Sequence, residues 1–439
     1  MDYTRSEVLQ FVEENDVKFI RLMFCDIFGR LKNISIMASE LMRAFESGIC
    51  FDASAIRGFM NVEESDLLLF PDAATLAILP WRPQQGRVIR FFCDIRYPDG
   101  SPFEGDCRHI LRQANQKVLD AGMVCKIGPE CEFYLFEADD RGNPTKIPQD
   151  HGSYFDVAPL DRGENVRREI CLSLEEMGVQ PEASHHEQGP GQNEVDFKHS
   201  DAVSAADNLV TFRSVVKAIA ALNGLYASFL PKPLAGQSGN GLHINLSLSR
   251  GGLNIFKTDH TGHSQEAESF IAGVLHRARE MTLVLNPLPN SYQRFGSFEA
   301  PRFVTWSHQN RSQLIRIPAA SGEYSRMELR SPDPSCNPYY AFALLLQAGM
   351  EGIEQGRKLC APCNVDLYGA GAKALNDLER LPASLGEALE LAKSSEFLKR
   401  ALPGRTLSSF LALKQKQWEE YERASDKDAL ERAVYFVNV

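Results

Sequence analysis

Three short segments of the chain alternate apolar residues with polar residues suited to chemistry. They lie at 130–135, 243–248 and 326–330. Successive side chains of a β-strand point to opposite faces of a sheet, so the charged, amide or imidazole groups of each segment share one face. The pattern therefore predicts three strands that are apolar on one side and carry chemically active groups on the other.

A fourth segment adds two carboxylates. His185-His186-Glu187 is followed by a Gly-Pro-Gly turn and then by Glu194, which predicts two strand fragments joined by a turn. Any one segment alone is most simply the solvated face of an antiparallel sheet. Such a face usually includes Lys, Thr and Ser as well, whereas these segments together offer mainly acids and one imidazole: Glu130, Glu132, Glu187, Glu194, His243 and Glu328.

Convergence of these glutamates would require bound cations. Two like charges about 4 Å apart repel by roughly 4 kcal/mol at an effective dielectric constant of 20, so the carboxylates cannot share a site uncompensated. Oxygen ligands with one imidazole suit Mg²⁺ or Mn²⁺ better than a thiolate-preferring metal. If the segments meet in one sheet, we expect two divalent ions there.

Five arginines fall in the same part of the chain as the last of these segments. Guanidiniums beside divalent ions suit a nucleotide polyphosphate and a phosphoryl group in transfer, so we expect metal-assisted phosphoryl transfer. Salt bridging to the same glutamates is the alternative for one or two of the arginines. No Walker-type loop and no Gly-x-Ser-x-Gly motif competes with this interpretation. The five are Arg294, Arg311, Arg316, Arg326 and Arg330.

Composition excludes several other classes of protein. The 439 residues include 47 Lys+Arg and 58 Asp+Glu, and a formal charge of −11 disfavours nucleic acid or an anionic membrane as the main partner. No apolar run approaches the roughly 18 residues of a membrane span, and the start lacks a leader pattern, so we expect a cytoplasmic protein. Ten scattered cysteines indicate reduced thiols, and Cys360 with Cys363 is a weak metal or redox signal.

A segment rich in proline and glycine at 97–105 predicts a domain boundary. Before it, Thr4 and Glu7 form a capping-box pattern for an opening helix, and apolar runs at 17–24 and 31–37 predict a strand pair. We expect a small α+β domain over 1–104 and a larger domain over 105–439, ending from Ser384 in a helical cap. Helices of the larger domain are predicted at 106–120, 164–177, 201–222, 265–285 and 338–355.

Longer motifs resemble those of the glutamine synthetase family, in its type I bacterial and archaeal class and the shorter subtype without adenylylation. The resemblance covers nearly the whole chain and keeps the family's order. Its motifs are Gly128-Pro-Glu130-Cys-Glu132-Phe, Ser184-His-His-Glu187, Gly191-Gln-Asn-Glu194, Lys232-Pro, Gly239-Asn-Gly-Leu-His243, Asn290-Ser-Tyr, Asn310-Arg-Ser, Ile315-Arg-Ile-Pro318 and Asp333-Pro-Ser-Cys-Asn-Pro338.

The resemblance implies an α+β fold: a small β-grasp-like amino-terminal domain and a larger catalytic domain with a curved antiparallel sheet flanked by helices. It also implies Mg²⁺ or Mn²⁺, two or more ions per active site, with ATP as co-substrate. One ion would be held by Glu132, Glu187 and Glu194, and the other by Glu130, His243 and Glu328.

Further roles follow from the resemblance alone. Asp52, on a loop given by a neighbouring subunit, would help deprotonate ammonium in a pocket completed by Tyr154, Glu187 and the flap residue Glu299. The remaining residues would contact the phosphates and γ-carboxylate (Arg311, Arg316, Arg330), the glutamate (Arg294, Gly239) and ATP (Ser247, Arg326).

The implied reaction joins ammonia to the γ-carboxylate of glutamate through γ-glutamyl phosphate, in a dodecamer of two stacked hexamers. Two alternatives stay open: a γ-glutamyl-amine ligase with the same metals, and an inactive homologue. The amine alternative arises because this sequence departs from the family's pattern near the substrates. Separately, Asn61 stands where the feedback-inhibited subtype has an arginine, so glutamine feedback of that kind is left open. The departures near the substrates are Ala55, Ser238, Gln293, Phe298 and a flap one residue shorter.

Overall fold

A computed structural model describes residues 3–257 and 263–439. Its helices are α1 (Arg5–Glu14), α2 (Leu41–Ser47), α3 (Cys107–Asp120), α4 (Glu164–Glu176), α5 (Ala202–Leu222), α6 (Gln265–Leu285), α7 (Pro338–Glu354), α8 (Ala372–Leu375), α9 (Leu385–Ser394), α10 (Glu396–Ala401), α11 (Gly404–Arg423) and α12 (Lys427–Leu430). The five helices predicted in the larger domain are all present, with ends within a residue or two of those predicted.

The strands form two sheets. They are β1 (Val17–Cys25), β2 (Leu31–Met37), β3 (Ile49–Asp52), β4 (Asp66–Pro71), β5 (Ala77–Ile78), β6 (Arg87–Arg96), β7 (Met123–Ala138), β8 (Pro144–Pro148), β9 (Pro181–His186), β10 (Gln192–Phe197), β11 (Leu225–Ser228), β12 (Leu242–Arg250), β13 (Leu253–Asn254), β14 (Trp306–His308), β15 (Ile315–Ile317) and β16 (Met327–Leu329).

The first sheet contains β1 to β6 in the order β2-β1-β6-β4-β3, with β5 paired to β6. Strands β1 and β2 form the predicted hairpin, while β1 and β6 run parallel. Helix α1 begins at Thr4, where both halves of the predicted capping box are made with Glu7. A parallel central pair with antiparallel neighbours and a short packed helix gives the β-grasp-like unit that was expected.

The second sheet has the order β14-β15-β16-β12-β7-β10-β9 and is antiparallel except for the β14–β15 pair. Strand β7 is its long centre and pairs with β10 on one side and β12 on the other. Helices α5, α6 and α7 are buried along much of their length. The α+β architecture predicted from the sequence is thus confirmed, with the charged segments on adjacent strands.

Buried polar contacts join the first sheet to helices of the larger domain. Arg108, at the start of α3, makes ion pairs with Asp72 and Asp94 from the first sheet region and with Asp207 on α5. The turn between β1 and β2 reaches α7, because a Cβ on Gly29 would lie 2.7 Å from the Cα of Asn337. Among the described helices, none combines the length and apolarity needed to cross a membrane.

Candidate active site

Strand β7 carries two glutamates, and each lies opposite a titratable residue of a different neighbouring strand. Glu130 pairs with His243 on β12, and Glu132 pairs with Glu194 on β10. On the other side of β12, Asn245 of that strand lies opposite Glu328 of β16. Because paired residues of antiparallel strands project to the same face, the alternation in the sequence becomes one continuous polar surface across four strands.

The acidic side chains of this surface are close to one another and to two histidines. The Nδ1 of His243 lies 3.4 Å from an oxygen of Glu130 and 3.6 Å from an oxygen of Glu328. The Nε2 of His185 lies 3.0 Å from Glu187 and 3.4 Å from Glu194. The candidate ligand atoms of Glu130, Glu194 and His243 all lie within 4.8 Å of one another, as do those of His185, Glu187 and Glu194.

Burial and mutual repulsion perturb these groups strongly. Burial and the nearby charge of Glu187 raise the pKa of Glu132 to about 8. Burial, with the charges of Asp196 and Glu132, raises the pKa of Glu194 well above its usual value. Burial, with the charge of Arg330, lowers the pKa of His243 well below its usual value. Carboxylates that resist ionisation beside a neutral imidazole form a donor set suited to a divalent cation.

Small residues keep the surface open. A Cβ on Gly241 would lie 2.8 Å from Nε2 of His243, 3.1 Å from Nη2 of Arg294 and 3.3 Å from Oε1 of Glu132. The amide of Gly241 donates to Glu132 over 2.9 Å, as does the side chain of Gln192. The residues thus fit a divalent ion, since glycine leaves room beside groups already oriented by hydrogen bonds.

Glu328 has a different environment from the other glutamates. It is fully buried, and its two oxygens each accept a hydrogen bond of 2.5 Å, one from Arg316 and one from Arg330. Arg330 also reaches Glu299 at 3.3 Å, and Arg311 lies 3.6 Å from the same carboxylate. Salt bridging, the alternative considered for the arginines, therefore holds for several of them in this structure.

Arg294 lies beneath the glutamates, where it is buried. Its guanidinium donates to the backbone carbonyls of Ser331 at 2.9 Å and Arg330 at 3.2 Å. A Cβ on Gly239 would lie 2.6 Å from the Cγ of Arg294, so these two residues are in close contact. Backbone bonds fix this cation without neutralising it, which leaves it available to an anionic ligand.

Asn245 lies on the side of the site predicted for ATP, although no role was assigned to it from the sequence. Ser247 lies opposite Lys126 in the β12–β7 register, further along the sheet from the glutamates. The amide of Asn245 donates to Glu130 over 2.7 Å, and its oxygen accepts from Arg326 over 2.8 Å. Asn245 shares its face with His243, so the same alternation pointed to it. His185 was also given no role, although it lies in the Ser184–Glu187 motif.

Tyr154 lies at the edge of the carboxylate surface, on a loop between β8 and α4. Its ring contacts that of His185, with centroids 5.6 Å apart. Burial raises its pKa, and the charge of Glu187 raises it further, while Arg311 opposes the shift. Tyr154 is therefore close enough to Glu187, Arg311 and Glu299 for their charges to act on its hydroxyl.

Asp52 makes no hydrogen bond or ion pair with this surface in the part of the chain that the structure describes. It is exposed at the end of β3, where the hydroxyl and backbone amide of Ser54 donate to its side chain. The backbone amide and hydroxyl of Ser54 lower the pKa of Asp52. A single chain thus leaves Asp52 outside the candidate active site.

Of two departures from the family's pattern, Gln293 has a structural role through its side chain, whereas Ser238 makes its contact through the backbone. The side-chain amide of Gln293 donates to Glu431 of the carboxy-terminal segment over 2.8 Å. The carbonyl of Ser238 accepts the hydroxyl of Tyr134 over 2.6 Å. Both contacts hold the loops behind Arg294 and Gly239, and neither directs a new charged group into the carboxylate surface.

Taken together, the fold and site define a class of protein with a divalent-cation surface on an antiparallel sheet, bordered by fixed arginines. The chain matches the family model described as "Glutamine synthetase, catalytic domain" over residues 104–433. It matches the model described as "Glutamine synthetase, beta-Grasp domain" over residues 16–98. The chain therefore belongs to the glutamine synthetase family.

Individual relatives agree with this assignment. The chain is 47% identical to a glutamine synthetase of Clostridium saccharobutylicum over 424 residues, covering 95% of this chain and 96% of the relative. It is 48% identical to one of Methanosarcina mazei, covering 95% of each. A solved structure titled as a GmaS/ADP complex superimposes with a TM-score of 0.87 at 29% identity, covering 99% of each chain. A Plasmodium falciparum glutamine synthetase, at 22% identity and a TM-score of 0.86, shares the fold.

Proposed function

We propose that this chain is a glutamate–ammonia ligase, which uses ATP to join ammonia to the γ-carboxylate of L-glutamate and yields L-glutamine, ADP and phosphate. The observation that carries the proposal is the convergence of five glutamates and His243, on adjacent strands or at their ends, beside fixed arginines. Identity of 47–48% to two glutamine synthetases over nearly the whole chain supports the same reaction.

The carboxylates would hold divalent cations, Mg²⁺ or Mn²⁺. Glu132, Glu187 and Glu194 are proposed for one ion, and Glu130, His243 and Glu328 for a second. Bound divalent ions would offset the charge of the ATP phosphates and of the phosphoryl group in transfer. The release of Glu328 from Arg316 or Arg330 would accompany occupation of the second site, because both oxygens of Glu328 are engaged by these arginines.

The first chemical step would activate the γ-carboxylate, whose oxygen is otherwise a poor leaving group. A γ-carboxylate oxygen attacks the γ-phosphorus of ATP, the bond to the bridging oxygen breaks, and ADP leaves. Arg330, Arg316 and Arg311 would stabilise the negative charge on the carboxylate and the phosphoryl oxygens. Arg294, with Gly239 against it, would hold the glutamate, while Ser247 and Arg326 would contact ATP.

The second step would consume ammonia. Ammonium would bind beside Tyr154, Glu187 and Glu299, lose a proton and attack the acyl carbon, and phosphate would then leave. Glu299 and Phe298 have positive φ values of 63° and 48°, a costly conformation for residues other than glycine. Ion pairs from Arg330 and Arg311 hold Glu299 in this strained conformation. The segment that carries Glu299 would act as a flap that excludes water from the acyl phosphate.

A neighbouring copy of the chain would complete the ammonium pocket. Asp52 is exposed and distant in its contacts from the carboxylate surface, so its proposed role in deprotonation requires a second subunit. The proposed assembly is a dodecamer of two stacked hexameric rings, with each active site between adjacent subunits. All ten cysteines are free thiols, which supports the reducing cytoplasm as the proposed location.

The amine-acceptor profile tests this function. ADP release is measured with Mg²⁺, ATP and glutamate, adding ammonium chloride, ethylamine or putrescine in turn. Fastest turnover with ammonium is expected, and faster turnover with either amine would assign the chain to γ-glutamyl-amine ligation. If calorimetry detected binding neither of Mn²⁺ nor of an ATP analogue, the chain would be an inactive member of the family.

A further inference from the structure

Two buried residues with no assigned role connect both sides of the proposed ammonium pocket. Asp150 begins the loop that carries Tyr154, and His186 ends β9, immediately before Glu187. We propose that Asp150 and His186 form a positioning pair that fixes Tyr154 and Glu187 relative to each other. This inference rests on the proposed function only because it takes Tyr154 and Glu187 as the walls of the ammonium pocket.

His186 is almost completely buried and is held at both ring nitrogens. Its Nε2 lies 2.9 Å from Oδ1 of Asp150, and its Nδ1 lies 2.6 Å from the backbone carbonyl oxygen of Glu187. Both neighbours are hydrogen-bond acceptors, so each ring nitrogen donates. The imidazole therefore ties the backbone of Glu187 to the start of the loop.

Asp150 gathers several segments around the same carboxylate. Its Oδ1 accepts the backbone amides of Gly152 at 3.2 Å and Gly191 at 2.8 Å. Its Oδ2 accepts the amide of Arg162 at 2.9 Å. Since Gly191 belongs to the turn between Glu187 and Glu194, one carboxylate holds both ends of the loop and the turn of the metal site.

Tyr154 is connected to His186 through the next residue. The backbone amide of Phe155 donates to the carbonyl of His186 over 3.1 Å. Gly152 lies against the imidazole, and a Cβ there would be 2.8 Å from Nε2. A shift of the imidazole would thus move the loop at Gly152 and Phe155, the residues on either side of Tyr154.

The far end of the loop is fixed independently. Arg167 on α4 pairs with Asp161 over 2.5 Å and donates to the side chain of Asn193 on β10 over 2.5 Å. Two anchors therefore hold the 150–163 segment, while Tyr154 and Phe155 between them are exposed. Such an arrangement orients an exposed side chain without burying it.

The same residues could be mistaken for a metal site. Ligand atoms of Asp150, Asp161 and His186 lie within 4.8 Å of one another. However, Asp150 already accepts four hydrogen bonds, and Asp161 is paired with Arg167. A cation bound here would displace these donors and leave them without acceptors, which is costly for buried groups. A positioning role accounts for the contacts without that cost.

The test compares His186→Gln with His151→Gln in the full-length protein. His151 is exposed on the same loop and serves as the matched control. We expect His186→Gln to raise the KM for ammonium about tenfold while the KM values for glutamate and ATP stay within about twofold, because small displacements of a reacting group are costly. His151→Gln should leave all three unchanged. An equal rise in all three KM values, or none, would overturn the proposal.

If His186→Gln does not fold, a second variant, Gly152→Ala, tests the same positioning role. Gly152→Ala removes no hydrogen-bonding group but places a methyl group against the imidazole. It should raise the KM for ammonium selectively and by a similar factor, and an unchanged KM would count against the pair. If the wild-type protein prefers an alkylamine, the proposed function fails, and the same comparison with that amine still decides the positioning role.

Discussion

Glu132 on β7 lies directly opposite Glu194 on β10, so two carboxylates face each other in a buried part of the sheet. Within the described residues 3–257 and 263–439, neither is paired with a lysine or arginine, and both have raised pKa values through burial and neighbouring acids. A sheet that places acids in this register is less stable without cations than with them. The metal site and the stability of the fold are therefore linked.

Removing one of these acids should stabilise the metal-free protein. The pKa of Glu132 is raised from 4.5 to about 8, so the folded state binds more protons than the unfolded state between these values, and stability falls as pH rises through them. Glu132→Gln should raise the Tm at pH 8 in EDTA and abolish the gain on adding Mn²⁺. Scanning calorimetry at pH 6 and pH 8 measures both, with the exposed Glu176→Gln as control. A lower Tm for Glu132→Gln in EDTA would contradict the expectation.

Glu328 should be important for stability as well as for activity. Glu328→Ala would leave Arg316 and Arg330 without their shared carboxylate, and removing one partner of a buried pair costs about 3–5 kcal/mol. We expect loss of metal-dependent turnover together with a lower free energy of unfolding in urea. Glu328→Gln, which keeps the shape and one acceptor, should lose turnover with a smaller loss of stability. Equal stability of the two variants would argue against this role.

The strand register was largely predictable from the sequence, because alternation fixes which side chains share a face. Glu130, His243 and Glu328 meet across β7, β12 and β16 for this reason. Pairing of Glu328 with Arg330 was less predictable, since Arg330 directly follows the short strand that carries Glu328 and the rotamers of both depend on packing. Likewise, periodicity places Glu431 on a terminal helical segment but cannot show that it reaches Asn290 and Gln293.

Gly241 should tolerate no side chain. Its Cβ would lie within contact distance of His243, Arg294 and Glu132, none of which can move without losing a hydrogen bond or a ligand position. Gly241→Ala should lower kcat/KM for glutamate by about 100-fold and stability by about 1–3 kcal/mol. Steady-state kinetics and urea titration check the two effects. Gly404→Ala, at a helix start with nothing within 4 Å of the added carbon, is the control and should behave like the wild type.

The buried Lys414 should make the free energy of unfolding increase as the pH rises above about 7. It lies over Phe28 and donates to the carbonyl of Pro287 over 2.6 Å; burial, assisted by Arg30, lowers its pKa from 10.5 to about 7. The unfolded state therefore binds more protons between these values, so this group adds stability as pH rises from about 7.

Replacement of Lys414 tests that dependence. The difference in free energy of unfolding between the wild type and Lys414→Met should grow from pH 7 to pH 9, by up to about 1.4 kcal/mol per pH unit. Urea titrations at both pH values provide the measurement. The exposed Lys416→Met on the same helix should give a constant difference, and a constant difference for Lys414→Met would contradict the lowered pKa.

Complementation between two inactive variants should reveal whether active sites are shared. Asp52→Ala removes the group proposed to act on a neighbour's ammonium pocket, whereas Glu328→Gln disables the metal surface of its own chain. Random mixed rings would contain about one quarter of sites with both native groups, because each comes from a different subunit. Co-expression should therefore restore about a quarter of wild-type turnover, measured on oligomers purified through two different tags. Activity absent from the mixed oligomers would mean that Asp52 serves its own chain or takes no part in the reaction.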